Sequence, residues 1–212
     1  MINILHISHT NIETDSRILK EIKGLSKYKN YHVTAIGIFD SNKSRPINFL
    51  NNNIRVVSLK IFSKKLNFLP RALKYPIVFF ELFVKIILSS IMKKVDIIHC
   101  HDTFVLPVGF FLKKIKRSKL IYDAHELESN KNGQTKFMSL GTLYLEKLCW
   151  GYIDLLISVS DSIINWYKKT LGDKKSILVL NSPLIRESKR FNYNKSCNKY
   201  FHIKYHIPDD LK

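Results

Sequence analysis

The segment Leu120-Ile121-Tyr122-Asp123-Ala124-His125-Glu126 is the clearest indication of the fold, because a short apolar run ends there in Asp123, His125 and Glu126. The same order recurs in Asp96-Ile97-Ile98-His99-Cys100-His101-Asp102. Runs that are apolar throughout, with no polar alternation, are typical of strands buried on both faces of a parallel sheet. Ligands of such sheets bind beyond the carboxyl ends of the strands. The polar residues that close each run are therefore candidates for a functional site.

Outward from this stretch, apolar runs alternate with helical patterns, which indicates a parallel sheet wrapped by helices. We predict a helix with Asp15 or Ser16 as its N-cap, and a last helix that Ser160 caps and Gly172 ends. Right-handed crossovers then favour an α/β, doubly wound, mainly parallel Rossmann-like sheet with helices on both faces, over residues 1–185. Strands are predicted at 2–8, 32–39, 54–59, 120–124, 155–159 and 177–180, and helices at 105–116, 139–152 and 161–171.

Residues 76–92 form the most apolar segment of the chain, but Glu81 and Lys85 interrupt it. A membrane span needs about 20 apolar residues, and each central charge costs about 2.5–3.5 kcal/mol on insertion scales. We therefore expect no transmembrane helix. Two interpretations remain open: a buried crossover helix, or a surface helix that enters a membrane interface. The basic residues that flank or interrupt the apolar run are typical of the second; they are Arg71, Lys74, Lys85, Lys93 and Lys94.

The chain is strongly basic, with 35 Lys and Arg against 17 Asp and Glu and a formal charge of +18. This balance favours polyanionic partners, which are nucleic acid, anionic lipid or phosphorylated substrates, and the charge alone does not choose among them. We expect no nucleic-acid partner, because no RNP or helix-turn-helix pattern accompanies the charge. The three cysteines form no CxxC pair, and the first residues read as a strand rather than a signal peptide. The expected location is cytoplasmic.

The candidate site residues follow the predicted strands. Asp15 and Arg17 begin the first helix. His99 and His101 alternate at one strand end, where a zinc site with Asp123, His125 and Glu126 is one alternative and a hydrogen-bonded core histidine the other; we predict no metal. The absence of GxGxxG, GxxxxGK[ST] and GxSxG argues against a dehydrogenase, a P-loop NTPase and an α/β-hydrolase. The polar residues that could form one site at these strand ends are Ser8, His9, Thr10, Asn11, Asp15, Arg17, His101, Asp102, His125 and Glu126.

These motifs resemble those of retaining glycosyltransferases of the GT-B fold, in particular family 4-like enzymes. Asp15-Ser16-Arg17-Ile18-Leu19-Lys20-Glu21 is similar to their first-helix motif. The two quoted strands resemble their D-hydrophobic-hydrophobic-H-x-H-D and hydrophobic-Y-D-x-H-E strands. Ile157-Ser158-Val159-Ser160 and Val179-Leu180-Asn181-Ser182-Pro183 are similar to the last two strands, in order and spacing. The resemblance covers residues 2–185.

The resemblance implies an acceptor-binding, N-terminal domain, with a nucleotide-sugar bound by a second domain. It places His125 near the donor sugar as the catalytic candidate, while residues 8–15 shape the acceptor site and Asp102 and Glu126 line or brace the cleft. The sequence departs from the family at His9-Thr10-Asn11-Ile12, where many relatives carry glycines. Residues 186–212 resemble a linker to a donor-binding domain that residues 1–212 do not contain.

The predicted function is therefore the acceptor-binding half of a glycosyltransferase that acts on a glycan acceptor, lipid-linked, in surface-polysaccharide synthesis such as lipopolysaccharide or capsule. We expect it to be inactive alone, to need a donor-binding domain in cis or in trans, and to bind an anionic membrane surface peripherally. It binds no cofactor of its own; the nucleotide-sugar belongs to the complete enzyme. The alternatives are a catalytically silent binding or scaffold module of the same fold, and a His-x-His metal-dependent hydrolase.

Overall fold

The computed structural model describes residues 1–39, 49–51, 53–130 and 135–181. Within these residues one sheet has the strand order β3-β4-β2-β1-β5-β6-β7-β8. Seven strands are parallel, as predicted, and the short β3 pairs antiparallel with β4 at one edge. The strands are β1 (Ile2–Ile7), β2 (Tyr31–Ile38), β3 (Phe49–Asn51), β4 (Ile54–Leu59), β5 (Ile97–His101), β6 (Lys119–Ala124), β7 (Leu155–Ser158) and β8 (Ser176–Leu178).

Five α-helices lie within the described residues, and both faces of the sheet carry helices. They are α1 (Ser16–Leu25), α2 (Arg71–Ser90), α3 (Leu106–Lys116), α4 (Lys136–Trp150) and α5 (Asp161–Leu171). Helix α1 packs Ile18 and Ile22 against β2 and β4 in one core cluster. Helices α2 to α5 contribute to the larger cluster on the other face. The doubly wound α/β fold is confirmed.

Local capping explains where the predicted helices begin and end. The Asp15 carboxylate accepts hydrogen bonds from the backbone N–H groups of Arg17 and Ile18, so Asp15, rather than Ser16, is the N-cap of α1. Ser160 caps α5 through the Ile163 N–H. Gly172 ends α5 with φ of +105°, a backbone conformation that favours glycine. Strand β3 is the element that the sequence did not predict.

Helix α2 is the crossover that connects β4 to β5. It begins at Arg71, before the apolar run of 76–92, and directs Val78, Leu82 and Ile86 into the core. The opposite side carries exposed apolar side chains. Among the described residues, no helix is both long enough and apolar enough to cross a bilayer. The linker prediction for 186–212 and the last residues of the 1–185 domain lie outside the described residues.

Candidate functional site

Strand register brings four titratable side chains onto one face of the sheet. His6 of β1 pairs with His99 of β5, and His101 of β5 pairs with Asp123 of β6. Because alternate residues of a strand share a face, His6, His99, His101 and Asp123 lie together on the side that α1 covers in part. His125 follows Asp123 by two residues, just beyond the end of β6. The cluster therefore lies at the carboxyl ends of β1, β5 and β6.

Asp123 is the centre of this cluster and is only 1% exposed. Its Oδ2 lies 3.3 Å from His101 Nδ1 and 3.4 Å from both His99 Nε2 and His125 Nε2. All three contacts are longer than a strong hydrogen bond to a carboxylate, and this oxygen has no hydrogen bond of good geometry among the described residues. Burial acts to raise the pKa of Asp123, but the His101 and His99 rings outweigh burial and hold that pKa well below its usual range.

Lowered pKa values keep the imidazoles of His6, His101 and His125 neutral at physiological pH. Burial, and then the neighbouring His99, lower the pKa of His101 to about 3. Burial, with His99 and His101 beside it, places the pKa of His6 well below its ordinary value. Burial also lowers the pKa of His125. His6 Nδ1 lies 3.0 Å from His101 Nε2, and His101 Nδ1 lies 3.4 Å from His125 Nε2, so the three rings form a hydrogen-bonded chain.

Helix α1 adds a basic and an acidic side chain to the site. Arg17 pairs with its own N-cap, Asp15, at 3.3 Å. Glu21 lies one turn further along, and burial raises its pKa to about 7. A small cavity of about 30 Å³ opens between α1 and the strand ends, with room for about one water molecule. Its lining residues are Arg17, Lys20, Glu21, Asp123, His125, Val159, Val179, Leu180 and Asn181.

The loop after β1 is a folded turn held by its own polar side chains. Ser8 is wholly buried, and its Oγ lies 2.7 Å from Thr10 Oγ1 and accepts the Thr10 N–H at 3.0 Å. Thr10 in turn reaches Asp15 Oδ2 at 3.4 Å. Asn11 Oδ1 accepts the Glu13 N–H at 3.0 Å. These contacts brace the loop, so Ser8 and Asp15 fix the positions of the residues between them.

A larger cleft of about 530 Å³ lies beside this loop. Its floor is apolar, from Ile38 and Ile61, and three lysines stand at its wall. Lys60 lies over the Phe39 ring, with 5.8 Å from Nζ to the ring centroid. The full lining is His9, Thr10, Asn11, Ile38, Phe39, Lys60, Ile61, Phe62, Lys64 and Lys65. The cleft combines cations with aromatic surface and suits an anionic ligand that carries an apolar or sugar portion.

Asp102 follows β5 and has an unusual backbone conformation. Its φ of 70° and ψ of 161° fall in a region that is essentially restricted to glycine. Its Oδ2 lies 3.9 Å from His9 Nδ1, and its N–H donates to the Asp123 carbonyl. Glu126, the last predicted site residue, is exposed just beyond His125. The predicted residues therefore lie together at the carboxyl ends of the strands. Ser8 and His101 are fully buried there.

Sequence reasoning missed several residues of this edge. Lys60, Lys64 and Lys65 follow β4 without forming a recognisable motif. His6 was detectable, because it shares the strand parity of His99 and His101 once β1 and β5 are taken as neighbours. Lys20 lies on the polar side of α1, where a lysine is common and does not indicate a functional site. The strand order of the sheet brings these residues together, and that order could not be derived from the sequence.

No protein-family model matches the sequence, and no curated protein sequence matches it. Solved structures do match the fold. Sucrose-phosphate synthase from Thermosynechococcus elongatus has a TM-score of 0.67 at 13% identity, over 99% of this chain and 54% of that one. A ugt transferase from Siraitia grosvenorii, in complex with UDP, has 0.57 at 10%, over 88% and 52%. Anabaena HepE, in complex with UDP and glucose, has 0.55 at 14%, over 86% and 45%.

These neighbours are GT-B glycosyltransferases. The chain shares their fold. It spans about half the length of each of these three chains. Identities this low show a common fold and leave the reaction open. The predicted GT-B-like domain is therefore confirmed as a fold, whereas the family 4-like assignment and the retaining mechanism stay predictions.

Proposed function

We propose that this chain is the acceptor-binding half of a glycosyltransferase that transfers a sugar from a nucleotide-sugar to a glycan acceptor. One observation carries the proposal: in a domain with the GT-B half fold, His125, Arg17 and Asp102 gather at the carboxyl edge of the sheet, where open α/β sheets bind ligands. UDP in two of the structural neighbours agrees with a nucleotide-sugar donor.

His125 is the proposed catalytic residue. Its side chain lines the small cavity, while Asp123 and His101 behind it restrict its orientation. A neutral imidazole both donates and accepts hydrogen bonds, which suits contact with sugar hydroxyl groups. Its lowered pKa keeps it in this form at physiological pH. In this proposal transfer proceeds with retention, and the donor is bound by a second domain in cis or in trans.

The acceptor is proposed to occupy the larger cleft. His9, Thr10 and Asn11 offer hydrogen-bonding groups along one wall, and Lys60, Lys64 and Lys65 offer positive charge along another. A phosphate linked to a glycan would meet these lysines, because ammonium groups bind phosphate oxygens as point charges. A lipid-linked acceptor of surface-polysaccharide synthesis has this chemistry.

Peripheral binding at the inner face of the plasma membrane is part of the proposal. Helix α2 turns apolar side chains outward, with Leu73 58%, Phe80 68% and Leu88 67% exposed. The turn at Ser63–Lys65 packs against α2 and adds two lysines. Basic side chains near an anionic surface contribute about 1 kcal/mol each. We expect binding to phosphatidylglycerol vesicles in low salt and its loss in high salt.

A vesicle co-sedimentation assay tests this membrane contact. Phe80→Ser should weaken sedimentation, whereas Tyr28→Ser, at a residue 62% exposed beyond α1, should leave it unchanged. Binding that is equal in low and high salt, or equal in the two variants, would contradict the membrane part of the proposal and leave sugar transfer unaffected.

Sugar transfer is tested on the product of the longest reading frame that contains residues 1–212. It is incubated with a panel of nucleotide-sugars and a lipid extract, and transfer of labelled sugar to lipid is measured. His125→Ala should reduce transfer at least 100-fold, whereas His32→Ala, on β2, should not. A folded product that transfers no sugar supports the silent binding or scaffold alternative. The comparisons give no support to the hydrolase alternative.

A further inference from the structure

We propose that His101, Asp123 and His125 form a binding site for one divalent transition-metal ion, with an open position toward the small cavity. The ligand atoms are His101 Nδ1, Asp123 Oδ2 and His125 Nε2. This departs from the prediction of no metal, and it does not depend on the proposed transfer reaction.

The distances between the ligand atoms support the site. They form a nearly equilateral triangle with sides of 3.3, 3.4 and 3.4 Å. Ligands bound at about 2.0–2.1 Å in tetrahedral geometry lie about 3.3–3.4 Å apart. The three atoms therefore match one face of a tetrahedron around an ion such as Zn²⁺, without movement of the backbone.

Unsatisfied hydrogen bonding supports the site independently. Asp123 Oδ2 is buried, and the three imidazole nitrogens that face it lie 3.3–3.4 Å away, which is longer than a strong hydrogen bond to a carboxylate. A buried carboxylate oxygen without a hydrogen bond costs about 1–3 kcal/mol or more. A cation between the carboxylate and the nitrogen lone pairs would remove this cost, since oxygen and nitrogen would each bind it directly.

The residues around the triangle have the arrangement that metal sites use. A metal-bound histidine generally directs its second ring nitrogen to a hydrogen-bond acceptor. His101 Nε2 lies 3.0 Å from His6 Nδ1, which provides that acceptor. On the other side, Asp123 and His125 line the cavity together with Arg17 and Lys20. An ion with three protein ligands and an open fourth position could bind an anionic oxygen there.

The test measures Zn²⁺ binding to the full chain, expressed without a histidine tag and stripped with a chelator. His202→Gln and His206→Gln form the background, because these two histidines lie outside the described residues. Titration calorimetry should show one equivalent of Zn²⁺, with no comparable heat from Mg²⁺. Co²⁺ in place of Zn²⁺ should give the visible absorption bands of tetrahedral coordination.

Variants locate the ion. Asp123→Asn and His125→Gln should each weaken Zn²⁺ binding at least ten-fold and abolish the Co²⁺ bands, while His32→Gln changes neither. Circular dichroism confirms that each variant is folded, and His125→Gln provides the test if Asp123→Asn is not. Two results would overturn the proposal: no stoichiometric Zn²⁺ in the parent protein, or binding that Glu21→Gln abolishes and His125→Gln spares. The second result would place the ion in the adjacent cluster of His6, Glu21, His99 and His101.

Discussion

The hydroxyl of Tyr167 in α5 donates a hydrogen bond of 2.6 Å to the carboxylate of Glu146 in α4. Both residues are fully buried, and Tyr122 and Thr103 each lie 2.8 Å from the same Glu146 oxygen. Burial raises the pKa of Glu146, and the three hydroxyl groups offset part of that effect. This network joins two helices to β6 and to the turn after β5, so it supports the edge of the sheet that carries His125.

Tyr167→Phe is expected to lower the free energy of unfolding by about 1–3 kcal/mol, because it removes one donor from a buried carboxylate. Urea denaturation followed by circular dichroism measures the change. Tyr144→Phe is the matched control, since Tyr144 lies in α4 but is 62% exposed. Equal effects of the two substitutions would show that the network contributes nothing measurable.

The strands, helices and caps could be predicted from the sequence because each depends on neighbouring residues. Asp15 and Ser160 cap helices through backbone groups two or three residues away. The Glu146 network could not be predicted, since Thr103 and Glu146 are 43 residues apart. The same holds for the site: the motifs indicated His101, Asp123 and His125 separately, but their mutual distances depend on the order of β5 and β6. Strand β3 was missed because three residues carry no periodicity.

Two glycines in helices should respond to alanine in opposite directions. A Cβ atom on Gly109 of α3 would overlap Cys100 Sγ and lie 3.0 Å from Leu120 Cδ1. We expect Gly109→Ala to destabilise the fold by about 1–3 kcal/mol through overpacking. A Cβ on Gly141 of α4 would meet no described atom within 4 Å. Gly141→Ala should stabilise by up to about 1 kcal/mol through helix propensity.

Thermal unfolding of both glycine variants, beside the parent protein, measures this pair of predictions. A parent-like melting temperature for Gly109→Ala would mean that α3 shifts away from β5 at little cost. Destabilisation by Gly141→Ala would mean that α4 makes contacts that the described residues do not include.

Glu81 should make the free energy of unfolding depend on pH. Its carboxylate accepts the N–H groups of Phe62 and Ser63 at 2.9 and 2.8 Å and pairs with Lys85 at 2.5 Å. Burial acts to raise the pKa of Glu81, but the hydrogen bonds of Lys85 and Ser63 lower it to about 2. Since the folded pKa is the lower one, the contribution is present above the ordinary value of 4.5 and is lost as pH falls toward 2.

Urea denaturation of the parent and of Glu81→Gln, between pH 6 and pH 2.5, measures this dependence. The parent should be the more stable at pH 6, and the difference should shrink as the pH falls. A difference that is constant across this range would show that the charge of Glu81 does not hold the Ser63–Lys65 turn on α2.

The backbone conformation of Asp102 lowers the stability of the fold, whereas its carboxylate is expected to contribute to the proposed sugar transfer. A side chain at φ 70° and ψ 161° costs about 1–3 kcal/mol that glycine would avoid. Asp102→Gly should therefore melt at a higher temperature, and under the proposed function it should slow sugar transfer by the complete enzyme, because the carboxylate beside His9 is gone. Selection for stability alone would replace this residue, so a library screened only for thermal tolerance should enrich glycine at 102. A library screened for transfer should keep the aspartate despite its cost.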